Sequence, residues 1–308
     1  MSAVPLVSVV MSVYNGADAL HETIESVLAQ EGVDFEFIIV NDGSRDASGA
    51  MLDAFASADS RIRAIHQTNQ GLTKALIHGC ALAQGKYIAR QDCGDRSLPG
   101  RLRAEVDIIT THADAALVSC ATLMVGPSGE PLYNLVLSAE NAANGLTTLD
   151  IEKLHGPAHH GSTLFRRDLY ENVGGYRAQF YFAQDLDLWT RLIEHGSHIA
   201  LTEFYYEAAF TLGSISGMQR HRQIACAKLI LESARLRREG QSDETITTKA
   251  RAIIPDGKKA TPRDRAAALY FVGRCLSRRR DARAKNYYRD ALRAHPFHLK
   301  SALRLLLG

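Results

Sequence analysis

Four apolar runs open this chain, and their spacing leaves few folds open. They are VSVVMSV at 7–13, FEFIIV at 35–40, IRAIH at 62–66 and YIA at 87–89. Continuous β-branched runs of this kind belong to strands buried on both faces. Between the first two, Leu20, Ile24, Val27 and Leu28 recur at helical spacing. A second helix is expected over residues 47–56. A third opens after Asn69-Gln70-Gly71-Leu72 and reaches Ala83, before Gly85. Strand and helix therefore alternate with short links. That order requires parallel strands joined by right-handed crossovers, so the class is α/β with a Rossmann-like half and a mostly parallel central sheet.

Ligands of such sheets bind beyond the carboxyl ends of the strands. No Gly-x-Gly-x-x-Gly follows the first strand, so the dinucleotide fingerprint is absent. The strand ends are polar instead. Ser12, Tyr14 and Asn15 close the first, Asp42 the second, and Asp92 and Asp95 the fourth. Two crowded carboxylates at a strand end repel each other, and a fold keeps them mainly to hold a cation or a polar ligand. A solvated turn whose acids cap the next helix is the plainer reading. Tyr14 can stack on a base, and Asp42 can accept from an imide N–H. Equally, Tyr14 can be a packing aromatic and Asp42 an Asx-turn acid in Asp42-Gly43-Ser44.

Further along, residues 104–111 read as helix and 116–124 as a fifth strand. Residues 158–165 read as a strand that begins with His159 and His160. Neighbours on a strand face opposite sides, so at most one of the two is expected to line the crevice. Another helix opens at Phe182, with Leu188, Leu192 and Ile193 at core spacing. Asp185 falls on its first turn, where the helix dipole favours a carboxylate, as base or as N-cap. From Ser214 on the pattern is helical. Residues 241–248 read as a linker and 265–306 as a helical hairpin.

Composition sets bounds on partners and compartment. Five scattered cysteines form no Cys-x-x-Cys, which argues against a disulfide framework or zinc site and fits a reducing cytosol. No apolar run reaches membrane-spanning length, and the first run has neither the charged region nor the cleavage site of a signal peptide. Residues 1–234 hold 17 basic and 27 acidic side chains, net −10, whereas residues 235–308 hold 19 and 7, net +12. Such a basic tail can fold back on the acidic body or face an anionic phospholipid surface. No basic-aromatic motif supports nucleic acid.

Taken together, five stretches resemble the family 2 glycosyltransferases of the GT-A fold over roughly residues 4–215. They are residues 7–16, the 40–46 segment around Asp42, residues 69–89, Leu98-Pro99-Gly100-Arg101-Leu102, and Gly174-Gly175-Tyr176 with Gln184-Asp185-Leu186-Asp187-Leu188-Trp189. The resemblance implies an inverting transfer of sugar from a nucleotide-diphosphate sugar, UDP first, to a hydroxyl of a glycan or lipid-linked acceptor. It implies that Ser12 and Tyr14 surround the uracil, Asp42 binds its imide, and Lys74 lies near base or phosphates. Asp92 would bind the nucleotide sugar and, with Asp95, a Mn2+ or Mg2+ ion. Asp185 would be the general base, with His160 and Trp189 on the acceptor side.

Two departures from the family pattern stand out. Asp92-Cys93-Gly94-Asp95 replaces the usual Asp-x-Asp-Asp, which removes the customary metal-ligand acid at Gly94. Gln184 replaces the Glu that usually precedes the base. No Gln-x-x-Arg-Trp is present, so one sugar per encounter is expected. The expected organisation is a catalytic domain over 1–215 and a basic helical extension over 216–308. Residues 267–296 faintly resemble one tetratricopeptide repeat, but a single repeat cannot bury its own face. The expected location is cytoplasmic, peripheral at the inner face of the membrane. The rival readings are a non-catalytic nucleotide- or glycan-binding scaffold and a sugar-nucleotidyltransferase. The second would need a Gly- and Arg/Lys-rich phosphate loop that residues 14–18 lack.

Overall fold

The computed structural model describes residues 4–212, 219–255 and 260–306. The nine strands are β1 (Val7–Val13), β2 (Phe35–Asp42), β3 (Ile62–Gln67), β4 (Tyr87–Arg90), β5 (Arg96–Ser97), β6 (Ala115–Val125), β7 (Pro131–Leu135), β8 (Thr163–Arg166) and β9 (Ser197–Ala209). They form one sheet in the order β3-β2-β1-β4-β8-β6-β9-β5, with β7 alongside β6. The first half is parallel throughout, with Val7 beside both Phe35 and Tyr87. The sheet turns antiparallel where β8 meets β4 and β6. This is the α/β, mostly parallel architecture that the opening runs predict.

Alternation along each strand splits the core into two layers. Val7, Val9, Met11 and Val13 of β1 face α1 (Ala17–Leu28), α2 (Ser48–Ala58) and α4 (Arg101–Thr111), where Leu20, Ile24, Leu52 and Val106 meet them. Val10 faces the other way with Ile38 and Val40, against α3 (Leu72–Ala81) and the later α7 (Gln184–Leu192). Helix α3 lies close on the sheet because Gly79 carries no side chain. A Cβ there would stand 2.7 Å from Val10 Cγ1. Truncating one of the fully buried leucines, such as Leu20, would cost about 2–5 kcal/mol. Two shorter helices, α5 (Ala139–Gly145) and α6 (Arg167–Asn172), complete the body.

Four expectations are corrected. The strand after the paired histidines begins only at Thr163, and His160–Ser162 form a 3-10 turn. The 13-residue β9 was not expected at all. The supposed linker carries α9 (Glu244–Arg251), whose Ile246 and Ala250 are buried one turn apart. The expected hairpin is three helices, α10 (Pro262–Arg278), α11 (Ala284–Ala294) and α12 (Leu299–Leu306). A capping box of Thr261 and Asp264 starts α10. Val272, Leu276 and Tyr288 pack onto Cys120, Met124 and Leu132 of the sheet, so this group is seated on the α/β body. Ser214 and the 215/216 boundary lie outside the described residues. The first helix described beyond them is α8 (Arg220–Arg238).

Candidate active site

Strand β4 ends in a fully buried arginine, Arg90. A buried guanidinium is costly unless every N–H is used. Its Nη2 donates to Asp92 Oδ1 at 2.8 Å, Nη1 to the Val10 carbonyl and Nε to His160 Nε2 at 3.3 Å. Burial pushes the Asp92 carboxyl up, but its neighbours, the Arg90 guanidinium first among them, outweigh that and hold its pKa below the ordinary value. Asp95, one turn on, is gripped from β9. Tyr206 Oη donates to its Oδ2 at 3.0 Å and the Ala209 N–H to its Oδ1 at 2.9 Å. Burial pushes Asp95 up to about 6; His159 opposes that rise and Asp92 adds to it.

The loop between the two acids is held from below by Arg101. Its guanidinium donates to Ser97 Oγ at 2.9 Å, to Gln91 Oε1 at 3.2 Å and to the Arg90 carbonyl at 2.9 Å, and it lies 4.9 Å over the Tyr206 ring. The arginine of the 98–102 motif is therefore a support for the acidic loop. At Gly94, where the customary acid is missing, φ is +99°. A side chain there would be strained by the backbone, although the nearest atom is 3.9 Å away.

His159 stands beside the two acids. Its Nδ1 lies 3.4 Å from Asp95 Oδ2 and 3.7 Å from Asp92 Oδ2, and the ring stacks on Tyr206. The same nitrogen accepts the Gly161 N–H at 3.2 Å, which favours the tautomer with a lone pair on Nδ1. One ligand atom from each of Asp92, Asp95 and His159 lies within 4.8 Å of the others. Three acceptors this close repel unless a proton or cation lies among them. Two carboxylates with one imidazole suit a divalent cation of the manganese or magnesium kind better than a thiolate metal. The 3-10 turn lets both histidines face the cavity, where a strand would have turned one away.

Asp185 and Asp187 open α7 and part company at once. Among the described residues the Asp185 carboxylate is bonded to the neighbouring Leu186 N–H, at 2.8 Å. Burial raises its pKa, the Leu186 N–H works against that, and Asp92 adds repulsion. Asp187 is fully buried and is held by Arg177 and, at 2.7 Å, by Arg191. It is a salt-bridge anchor.

Asp92, Asp95, His159, His160, Asp185 and Trp189 line one cavity of about 840 Å³. His160 accepts from the Tyr176 hydroxyl at 2.7 Å, and burial with the Arg90 charge pulls its pKa to about 3, so the ring is neutral. Trp189 is buried, and its indole N–H has no partner among the described residues. A larger hollow, about 1130 Å³, lies by Glu130 and Tyr287 and holds no candidate residue.

Of the remaining candidates, Ser12, Tyr14 and Asp42 stand at adjacent strand ends and Lys74 on the first turn of α3, all outside that lining. Tyr14 is half exposed, Lys74 is exposed and Ser12 partly buried. Asp42 is 2% exposed and already occupied. Its Oδ1 accepts from Gln67 Nε2 and the Gln70 N–H, and its Oδ2 from the Gly71 N–H, each at 2.8 Å. It thus anchors the 69–71 loop and keeps one acceptor position on Oδ2. Sequence reasoning misses Arg90, Arg101, His159 and Tyr206. The histidine pair was the available signal for His159; Tyr206 gave none, because its strand was not recognised.

The description "Glycosyl transferase family 2" matches residues 8–174 of this chain. EpsE of Bacillus subtilis (strain 168), a glycosyltransferase by name, is 33% identical over 203 residues, 64% of this chain and 69% of EpsE. EpsJ of the same organism is 44% identical over 92 residues, 30% of this chain and 27% of EpsJ. Among solved structures, the mannosyltransferase PcManGT from Pyrobaculum calidifontis, in complex with GDP-Man and Mn2+, superposes with a TM-score of 0.57 at 15% identity, over 99% of this chain and 88% of that one. Residues 1–349 of S. aureus TarS, in complex with UDP-GlcNAc, give 0.55 at 16% identity, over 97% and 89%. At such identities the two structures speak for the fold. The match over more than half of the chain, and the EpsE relationship, speak for descent: the chain belongs to glycosyl transferase family 2 and is a glycosyltransferase.

Proposed function

We propose that this glycosyltransferase inverts the sugar it moves, from a nucleotide-diphosphate sugar to a hydroxyl of a glycan or lipid-linked acceptor, one residue per encounter. The observation that carries the reading is Asp185. Among the described residues it is a carboxylate without an ion-paired partner, raised by burial, in the same cavity as Asp92, Asp95 and His159. A carboxylate that is desolvated and not ion-paired is a better proton acceptor than one locked to arginine. In the proposed step the acceptor O–H proton passes to Asp185, the oxygen bonds the anomeric carbon, and the bond from that carbon to the diphosphate breaks. Holding donor and acceptor in line supplies much of the rate.

On the donor side, Asp92, Asp95 and His159 would hold the divalent cation, Mn2+ or Mg2+. When bound, it neutralises charge that gathers on the departing diphosphate. Ser12, Tyr14, Asp42 and Lys74 would take the nucleotide, with uracil favoured by the remaining acceptor position on Asp42. That PcManGT and TarS are seen with GDP-Man and UDP-GlcNAc supports a nucleotide-sugar donor of this general kind. His160 and Trp189 would form the acceptor wall. In this reading residues 1–215 carry the catalysis and residues 216–308 extend it. The Asp-Asp-His corner weighs against the scaffold alternative.

The test is Asp185→Asn, which keeps shape and removes basicity. Transfer should fall about 10²-fold or more while UDP still raises the melting temperature as in the wild type. Transfer at near wild-type rate would remove Asp185 from the mechanism.

A further inference from the structure

Helix α12 presents a face that nothing covers among the described residues. Leu299, Leu303 and Leu306 are 78%, 56% and 83% exposed, and Phe297 just before them is 83% exposed. Positions i, i+4 and i+7 share one side of a helix, so the three leucines form a stripe. The opposite side is seated. Ser301 is buried, and Leu305 packs against the cluster of Val272, Leu276 and Tyr288. The body therefore holds the helix by one face and leaves the other outward.

Beside this stripe is a cavity of about 450 Å³ whose lining includes Arg280, Lys285 and Arg304. None of the three has a carboxylate partner among the described residues. Asp281 shares the lining, but Arg283 holds it at 2.6 Å. Arg304 joins the two features, since it lies on α12 between Leu303 and Leu306. Lys300, on the same helix, is exposed as well.

We infer that this face docks on an anionic phospholipid surface. The leucines and Phe297 enter the boundary between headgroups and acyl chains, and the Arg280–Lys285–Arg304 pocket receives a lipid phosphate. Charge selects this partner over a second copy of the chain. A two-fold contact would bring the same cations against one another, whereas an anionic leaflet supplies the opposite charge. The inference does not depend on which sugar is transferred.

Co-sedimentation of the full chain with vesicles tests it, using phosphatidylcholine alone and phosphatidylcholine mixed with phosphatidylglycerol. The chain should bind the mixed vesicles at least tenfold more tightly than the neutral ones, and added salt should weaken that binding. The combined variants L299S/L303S/L306S and R280A/K285A/R304A should each lose about tenfold or more. All six side chains lie at the surface, so an unchanged melting temperature shows that the fold is intact. Equal binding to both vesicle types would overturn the inference, as would undiminished binding by the leucine variant. A wild-type dimer that the leucine variant dissociates, with no vesicle binding by either, would assign the stripe to a second copy instead.

Discussion

Asp185 and Asp187 are two residues apart on one helical turn, yet they belong to opposite kinds of place. Asp187 sits in a closed knot of charge. Arg177 and Arg191 hold it, Arg177 reaches on to Asp243 at 2.6 Å, and Arg237 joins Asp243 to Glu194. Each charge in the knot has an opposite one, and the knot ties α7 to α8 and the start of α9. Asp185 faces the cavity that Asp92 and Asp95 also line; Arg90 spends its guanidinium on Asp92, and among the described residues no arginine or lysine is ion-paired with Asp185. Burial alone therefore does not separate structural acids from reactive ones. Completeness of pairing does, because a paired charge serves the fold and an unpaired one keeps its chemistry.

The sharpest way to break this comparison is to exchange the two losses. Asp187→Ala leaves two arginines facing each other in a buried site, and should cost about 3–5 kcal/mol of stability in urea unfolding. Asp185→Asn removes no charge partner. It should leave the unfolding midpoint in place while the transfer rate drops about 10²-fold. An Asp187 variant that unfolds like the wild type would show that the knot is dispensable.

The same contrast explains what could be read from the sequence. Strands β1, β2 and β4 are buried on both faces, so they appear as unbroken apolar runs that no helix pattern imitates, whereas the edge strand β3 buries only Ile62. The acids at their ends follow from topology. Strand β9 left no such mark. Its 13 residues include Thr202, Glu203 and Glu207, and few of its positions are fully buried. With it went Tyr206 and Ala209, the two partners that fix Asp95. His159 was lost to a wrong local geometry, since a 3-10 turn does not alternate as a strand does. Asp42 shows the reverse. Its turn chemistry was legible, but its three partners come from Gln67, Gln70 and Gly71, about 25 residues on, and only the folded chain brings them near.

A smaller effect sharpens the metal corner. If His159 has taken over from the missing acid, His159→Ala should weaken Mn2+ binding about tenfold, measured calorimetrically without donor. Stability should barely change, because the ring is partly exposed and belongs to the incomplete set. Gly94→Asp should not rescue the variant, since its φ of +99° is one that an aspartate adopts only with strain. Unchanged Mn2+ affinity in His159→Ala would return the corner to the two carboxylates.

The smallest effect concerns a titratable group away from the cavity. His198 of β9 is buried beside Ser119, with Nε2 2.9 Å from the hydroxyl, and burial lowers its pKa from 6.5 to about 4. A depressed folded pKa means that the unfolded chain takes up the proton first. The stability from the neutral ring is complete above the unfolded value and drains away as pH falls from about 6.5 toward 4. Between roughly pH 7.5 and pH 5.5 this amounts to about 1 kcal/mol. His198→Gln keeps a polar side chain but cannot titrate, so its urea midpoint should fall less over that interval. Transfer rates of wild type and variant should keep the same pH profile, because His198 is absent from the cavity lining. A profile that shifted with His198→Gln would mean that a group outside the cavity sets the chemistry, and the division between fold-serving and reactive charges would fail there.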